Sequence, residues 1–184
     1  MELHAYADSD WGGRHGSRKS TSGGLVMLGK HCIKTWSSTQ GAVALSSAEA
    51  EFYAMIEAVI RSKGVLSIMK ELGFMITEKV QLFTDSSAAK SFVSRTGLGR
   101  MKHLEIRDLW LQREVGLGKV LVNKVLGTRN PADLMTKYLK RWEIEVRLGL
   151  MGLRIEWSKD CQIDDGEMLA KEVNALGLSL LCRG

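Results

Sequence analysis

The alternation of apolar and polar residues predicts three antiparallel strands in the first forty residues. Leu3–Ala7 alternates and includes Tyr6, which is typical of a half-buried strand. Gly24–Leu28 and His31–Trp36 form two further short runs, and the Gly29-Lys30 pair between them is typical of a tight hairpin turn. The three strands are therefore expected to follow one another in an antiparallel arrangement.

From Ser46 onward the period changes to that of a helix. Ser46 and Glu49 have the spacing of a capping box, and residues 48–72 are rich in helix formers and end before Gly73. The later pattern predicts a strand at 79–84, helices at 85–94 and 103–115, a strand at 119–126 and a short helix that starts at Asn130-Pro131. The order β-β-β-α-β-α-α-β-α predicts an α/β fold with a mixed five-stranded sheet and helices packed on it.

The pattern weakens past Leu139. We expect one domain over residues 1–139 and a C-terminal extension over 140–184, in which 142–152 and 167–176 favour helix without a defined place in the fold. The extension holds seven basic and eight acidic residues, whereas the first 139 residues hold 19 and 13. The positive surplus thus lies in the predicted domain, which is compatible with a polyanionic partner.

Composition argues against a membrane or secreted protein. No apolar run approaches the length of a membrane span, and the N-terminus lacks the basic stretch of a secretory signal. Cys32, Cys161 and Cys182 are far apart and lack metal-ligand spacing, which favours thiols in a reducing compartment. We therefore expect an intracellular location, cytoplasmic or nuclear, and no membrane partner.

Four acidic residues occur where the predicted topology would bring them together. Asp8 ends the first strand, which is expected to be central, Glu51 lies early in the long helix, Asp85 ends the fourth strand, and Asp133 opens the last helix. Strand ends and helix starts meet at one edge of such a sheet. Carboxylates this close need a positive neighbour, and Mg²⁺ suits oxygen ligands. Two such ions can activate a water and stabilise the leaving oxygen of a phosphodiester.

Each of these acids also has a structural explanation. Asp8 could be a turn former, Glu51 a first-turn acid that complements the helix dipole, Asp85 an N-cap and Asp133 a first-turn acid. Their joint occurrence on these elements favours the metal site. Asp10 would share a face with Asp8 if the first strand runs through both. Glu49 lies about 200° from Glu51 around the helix, so only one glutamate can face the metals.

Seven segments carry a resemblance to a known family. They are YADSDWGG (6–13), RKSTSGG (18–24), WSSTQ (36–40), ALSSAEAEFYA (44–54), TDSSAA (84–89), KHLEIR (102–107) and NPADLMTK (130–137). Residues 6–139 resemble the ribonuclease H domain of copia-type retrotransposon Pol polyproteins. The resemblance covers about three-quarters of the chain.

The resemblance implies a ribonuclease H-like fold and a specific chemistry. Asp8, Glu51, Asp85 and Asp133 match the family's catalytic set, which binds two Mg²⁺ ions, with Mn²⁺ as a substitute, and cuts the RNA strand of RNA–DNA hybrids to leave a 3′-hydroxyl. Asp8 is preferred over Asp10 because it follows the Tyr-Ala end of the strand, as the family's first aspartate does. Glu51 is preferred over Glu49 because Ala54 follows it by three residues, as in the family's pattern. Reverse transcriptase of the same polyprotein is a further expected partner, and retrotransposon particles are a further expected location.

Basic and hydroxyl side chains are candidate contacts to nucleic acid. Arg14, Arg18 and Lys19 lie in a Ser/Thr-rich loop that suits phosphate contacts, although a solvated hairpin loop explains them equally well. Ser86 follows the third carboxylate and is a candidate minor-groove contact. His103 matches a family segment but could simply cap its helix. Residues 126–129 lack the histidine that many cellular ribonucleases H have before the fourth carboxylate.

Two other functions compete with hybrid cleavage as explanations of this sequence. A strand-transfer enzyme of the integrase or transposase type is rejected, because those enzymes carry their glutamate late in the chain and here it comes second. A catalytically degenerate module that binds nucleic acid or tethers a reverse transcriptase remains an alternative.

Overall fold

The structure, a computed structural model, describes residues 2–14, 16–97, 109–155 and 180–182. Its strands are β1 (Leu3–Asp10), β2 (Thr21–Leu28), β3 (His31–Thr39), β4 (Val80–Thr84), β5 (Val120–Lys124), β6 (Leu153–Ile155) and β7 (Leu180–Cys182). The helices are α1 (Ser47–Glu71), α2 (Ser87–Val93), α3 (Trp110–Gly116) and α4 (Arg141–Leu150), with 3₁₀ helices at Gly127–Arg129 and Pro131–Met135.

Five strands form one mixed sheet in the order β3-β2-β1-β4-β5. β1 is central, antiparallel to β2 and parallel to β4, and β4 is parallel to β5. Gly29 takes a positive φ of 60° in the turn between β2 and β3, as the predicted hairpin requires. The predicted α/β class, with a mixed five-stranded sheet and helices packed on it, is confirmed.

Helix α1 covers one face of this sheet and buries Phe52, Met55 and Val59. At its start the Ser46 hydroxyl accepts a hydrogen bond from the Glu49 N–H at 3.2 Å, as predicted. The second half of the predicted capping box is wrong, because the Glu49 carboxylate accepts from the N–H of Leu45 instead, at 2.9 Å.

The other face of the sheet is covered by the second 3₁₀ helix and by α4. Apolar side chains from these elements and from β2 form a separate buried cluster: Leu25, Met27, Leu134, Leu139, Ile144, Leu148 and Met151. Helix α4 therefore packs on the same sheet as the preceding residues, although it lies beyond the boundary predicted at residue 139. That boundary stays a prediction.

The last predicted helix is a 3₁₀ helix, not an α-helix. It begins with Pro131, and the Asn130 side chain accepts a hydrogen bond from the N–H of Ala132 at 3.2 Å. The same side chain donates to the Ala7 carbonyl at 3.0 Å, so the helix start is tied to β1. Of the predicted helix over 103–115, the structure describes the part from residue 109 onward. Within the described ranges, none of the helices combines the length and apolar character that crossing a membrane requires.

Candidate metal centre

Three carboxylates meet at one edge of the sheet. One oxygen from each of Asp8, Asp85 and Asp133 lies within 4.8 Å of the others. Asp8 is near the end of β1 and Asp85 directly follows β4, and these two strands are parallel neighbours. Because parallel strands end at the same edge, the two aspartates come together there, as the sequence predicts.

Asp133 reaches this edge because Gly23 has no side chain. Gly23 is the partner of Asp8 across the β1–β2 ladder. A Cβ atom at Gly23 would lie 2.5 Å from Thr136 Cγ2 and 2.7 Å from Met135 Cβ. The end of the 3₁₀ helix therefore packs directly on the backbone of β2, and this close approach holds Asp133 beside Asp8.

Asp85 is free to face the other carboxylates because its neighbour takes the capping role. The Ser86 hydroxyl accepts a hydrogen bond from the N–H of Ala89 at 3.2 Å and so caps α2. The alternative that Asp85 is the N-cap is wrong. On the other side Gly127 is close, and a Cβ there would lie 3.1 Å from Asp85 Oδ2.

Glu51 lies beside these aspartates with one carboxylate oxygen unsatisfied. Its Oε1 accepts a hydrogen bond from the N–H of Ser9 at 3.4 Å. Its Oε2 is buried and accepts no hydrogen bond from the described residues. Burial, followed by the negative charges of Asp8 and Asp85, raises the pKa of Glu51 to about 8. A buried carboxylate oxygen without a donor is costly, and a bound cation would satisfy it.

Asp8 is almost fully buried within this carboxylate cluster of Asp8, Glu51, Asp85 and Asp133. Burial is the largest cause that raises its pKa to about 6, with the charges of Asp133 and Asp85 adding to it. The Lys137 ammonium and a hydrogen bond donated by the Thr136 hydroxyl act in the opposite direction. Repulsion from the neighbouring carboxylates thus adds to burial in raising the pKa values of Asp8 and Glu51.

The two competing acids have other partners. Asp10 Oδ1 accepts a hydrogen bond from the N–H of Thr21 at the end of the β1–β2 ladder. The Glu49 carboxylate accepts from the Tyr53 hydroxyl at 3.0 Å, as well as from the backbone before α1. In each ambiguous pair it is therefore the expected residue, Asp8 or Glu51, that lies with the other carboxylates.

Two basic side chains that the sequence reasoning did not single out contact the cluster. Lys137 Nζ lies 3.1 Å from Asp8 Oδ1 and 2.7 Å from Asp133 Oδ1. Arg147 in α4 donates to Asp133 Oδ2 from Nε at 3.2 Å and from Nη2 at 2.6 Å. The spacing of four residues between Asp133 and Lys137 could have indicated the first contact. Nothing local indicates the second.

The candidate nucleic-acid contacts are only partly near this centre. Arg14 is exposed, donates to Thr39 Oγ1 at 2.9 Å and lines an open cavity of about 190 Å³. Thr136, which donates a hydrogen bond to Asp8, lines the same cavity, as does Asp10, whereas the four cluster carboxylates do not. Arg18 is exposed and Lys19 is half-buried. His103 lies outside the described residues.

The sequence is related to that of transposon proteins. It is 32% identical over 142 residues to the retrovirus-related Pol polyprotein from transposon RE1 of Arabidopsis thaliana, a match that covers 77% of this chain and 10% of that protein. The chain is homologous to a segment of plant retrotransposon Pol polyproteins. The predicted resemblance to copia-type Pol polyproteins is thereby confirmed. The chain spans about a tenth of the length of the curated relatives it matches. No protein-family model matches it.

Solved structures that are similar to this chain include ribonucleases H. The N-terminal ribonuclease H domain of a Mycobacterium tuberculosis protein, solved as a fusion with maltose-binding protein, is 17% identical with a TM-score of 0.49. The match covers 74% of this chain and 91% of that one. LC11-RNase H1 in complex with an RNA/DNA hybrid is 15% identical with a TM-score of 0.46, over 73% and 93% of the two chains. The strand order β3-β2-β1-β4-β5, with helices on both faces, is the mixed five-stranded α/β arrangement that the resemblance implies.

Proposed function

We propose that this chain is a metal-dependent endonuclease that hydrolyses the RNA strand of RNA–DNA hybrids during reverse transcription of a retrotransposon. The observation that carries the proposal is the carboxylate cluster, in which three aspartate oxygens lie within 4.8 Å of one another beside a buried, unsatisfied oxygen of Glu51. A purely structural group of four acids would leave this oxygen without a partner and two carboxyl groups with raised pKa values.

The donor set fits hard divalent cations. Its members are all carboxylates and come from four separate segments of the chain. Burial and the charges of Asp8 and Asp85 raise the pKa of Glu51, whose Oε2 has no partner, and a cation would neutralise those charges. Asp8, Glu51, Asp85 and Asp133 would hold two Mg²⁺ ions, or Mn²⁺ in their place. Bound ions of this kind lower the pKa of a water and stabilise the leaving oxygen.

The surrounding residues orient the carboxylates. The Thr136 hydroxyl donates to Asp8 Oδ2, and the Ser9 N–H donates to Glu51 Oε1, so each acid has one oxygen held. Asn130 ties the 3₁₀ helix that bears Asp133 to the backbone of β1. In the hydrolysis a water loses a proton as its oxygen bonds to phosphorus, and the bond from phosphorus to O3′ breaks. O3′ takes up a proton, so one RNA fragment ends in a 3′-hydroxyl and the other begins with a 5′-phosphate.

The substrate proposal rests on the relatives and on the basic loop. The matched relatives are retrovirus-related Pol polyproteins, which supports a role in reverse transcription and a reverse transcriptase of the same polyprotein as partner. Arg14 lines a cavity together with Thr136, the residue that contacts Asp8, and Arg18 and Lys19 lie on the same loop, where all three would contact phosphates. We propose contacts from Ser86 and His103 as well, and an intracellular site of action in the cytoplasm, nucleus or retrotransposon particles.

The test is cleavage of an RNA–DNA hybrid labelled on the RNA strand, beside duplex RNA and duplex DNA of the same sequence. Each substrate is incubated with EDTA, with Mg²⁺ and with Mn²⁺. The proposal predicts cleavage of the hybrid RNA alone, and only with metal. Binding of the hybrid without cleavage under all conditions would overturn the enzyme proposal and favour the degenerate nucleic-acid-binding module.

A further inference from the structure

Both carboxylate oxygens of Asp133 are engaged by basic side chains. Arg147 donates twice to Oδ2, and the Lys137 ammonium lies 2.7 Å from Oδ1. The same ammonium is 3.1 Å from Oδ1 of Asp8. Lys137 therefore lies between the two aspartates and contacts one oxygen of each.

The two basic side chains differ in how easily they could leave. The Arg147 side chain is 6% exposed and lies in α4, whose Ile144 and Leu148 belong to the buried apolar cluster, so its departure would require the helix to unpack. The Lys137 side chain is 41% exposed and has a flexible four-carbon stem. It can swing into solvent without moving the backbone. The contact from Arg147 is thus fixed and the contact from Lys137 is replaceable.

A divalent cation that bridged Asp8 and Asp133 would need the oxygens that Lys137 contacts. Mg²⁺ coordinates oxygen at about 2.0–2.1 Å, which leaves no room for an ammonium on the same lone pairs. By contrast, no Lys, Arg or His of the described ranges forms an ion pair with Glu51 or Asp85. A cation between Asp8 and Asp133 would therefore have to displace Lys137, whereas one bound by Glu51 and Asp85 would displace no basic side chain of the described ranges.

We propose that Lys137 is an internal competitor of the metal, which holds Asp8 and Asp133 together in the metal-free protein and is displaced when a divalent cation binds between them. The inference rests on the proposed function, since it assumes that the cluster binds metal. It implies one stronger and one weaker cation position in the protein without nucleic acid, with Lys137 as the cause of the difference.

The test is calorimetric titration of Mn²⁺ into the full chain without nucleic acid. Lys137→Met should bind the weaker ion about tenfold more tightly than the wild type. Lys137→Arg keeps a cation at this place and should remain within about twofold of the wild type. Lys124→Met is the matched control, because Lys124 lies beside the cluster but donates to the Asp85 carbonyl and to Ser87 Oγ, not to a carboxylate. It should change the affinity by less than about twofold.

A second measurement uses the wild-type chain alone. The Lys137 amine is labelled with an acylating reagent, with and without saturating Mn²⁺, and the labelled peptide is quantified by mass spectrometry against that of Lys124. Displacement predicts several-fold more label on Lys137 with metal. Unchanged labelling together with equal Mn²⁺ binding by Lys137→Met would overturn the competitor role and leave the proposed metal site intact. Absence of Mn²⁺ binding in every variant would overturn both.

Discussion

Arg147 in α4 donates two hydrogen bonds to Oδ2 of Asp133, at 3.2 and 2.6 Å, and both side chains are almost fully buried. The pair connects a helix beyond the predicted domain boundary to the centre of the carboxylate cluster. Arg147 contacts Oδ2 of Asp133 and leaves Oδ1 on the side of Asp8. The Lys137 ammonium joins the two aspartates there, since it contacts Oδ1 of each. Helix α4 therefore sets the orientation of one proposed metal ligand.

Arg147→Met is predicted to lower the free energy of unfolding by about 3–5 kcal/mol, because it leaves the Asp133 carboxylate buried without its partner. Hybrid cleavage should fall by about 10- to 100-fold, the usual loss when the partner of a metal ligand is removed. Urea unfolding and a cleavage assay measure the two effects. The control is Arg141→Met, whose ion pair with Glu145 is exposed and should be worth less than about 1 kcal/mol. Equal effects of both substitutions would contradict the role given to Arg147.

Gly23→Ala is predicted to displace the 3₁₀ helix from β2, because the added Cβ would lie 2.5 Å from Thr136 Cγ2. We expect a loss of about 1–3 kcal/mol in stability and a loss of hybrid cleavage, since Asp133 would move away from Asp8. The control is Gly64→Ala within α1, where a Cβ meets open space, and it should stabilise the chain by roughly 0.5–1 kcal/mol. A fully active, equally stable Gly23→Ala protein would contradict the role given to the packing of the 3₁₀ helix on β2 in positioning Asp133.

The stability of the metal-free chain is predicted to fall as the pH rises. The pKa of Glu51 is about 8 in the folded chain against a usual value of 4.5, so between these values the folded state keeps a proton that the unfolded state has lost. Asp8, with a pKa of about 6 against 3.8, acts in the same direction at lower pH. Urea unfolding in EDTA at several pH values measures the slope. The stability of Glu51→Gln relative to the wild type should differ little near pH 4.5, rise between about pH 4.5 and about 8, and stay constant above that. A difference between the two proteins that does not change with pH would contradict the pKa assigned to Glu51.

The predicted boundary at residue 139 can be tested by shortening the chain. A chain that ends at Ile155 keeps α4. A chain that ends at Lys140 loses Ile144 and Leu148 from the buried apolar cluster, and it loses the Arg147 side chain that donates to Asp133. We predict that the shorter chain is several kcal/mol less stable and inactive, because each fully buried aliphatic side chain contributes about 1.5–3 kcal/mol. Thermal melts and hybrid cleavage compare the two. Equal stability and activity would establish residue 139 as the boundary.

The sheet and helix α1 could be predicted from the sequence because the patterns that indicate them lie within short stretches of the chain. Alternation identified β1, the Gly29-Lys30 turn fixed the hairpin, and the change of period at Ser46 marked the start of α1. Asp8 and Asp85 could be placed at one edge because parallel neighbouring strands end together. The type of the last helix could not be predicted, since the packing of its end on Gly23 and the tie from Asn130 to β1 are tertiary contacts.

The surroundings of the carboxylates were harder to predict than the carboxylates themselves. The contact of Lys137 with Asp133 spans four residues, a helical spacing that is visible in the segment NPADLMTK (130–137). Its contact with Asp8 joins the two ends of the predicted domain, and the contact of Arg147 depends on how α4 packs. Neither leaves a signal in the linear sequence.

The central claim is that the carboxylate cluster binds the divalent ions needed to cut RNA in a hybrid. Cleavage of a labelled RNA–DNA hybrid in Mg²⁺ by the wild type, Asp85→Asn and Asp10→Asn tests it most directly. Asp85 belongs to the cluster, whereas Asp10 accepts a backbone hydrogen bond from Thr21. We predict that Asp85→Asn loses about three orders of magnitude in rate and keeps hybrid binding within a few-fold, while Asp10→Asn cleaves within about tenfold of the wild type. Cleavage by Asp85→Asn at a near wild-type rate would contradict the account.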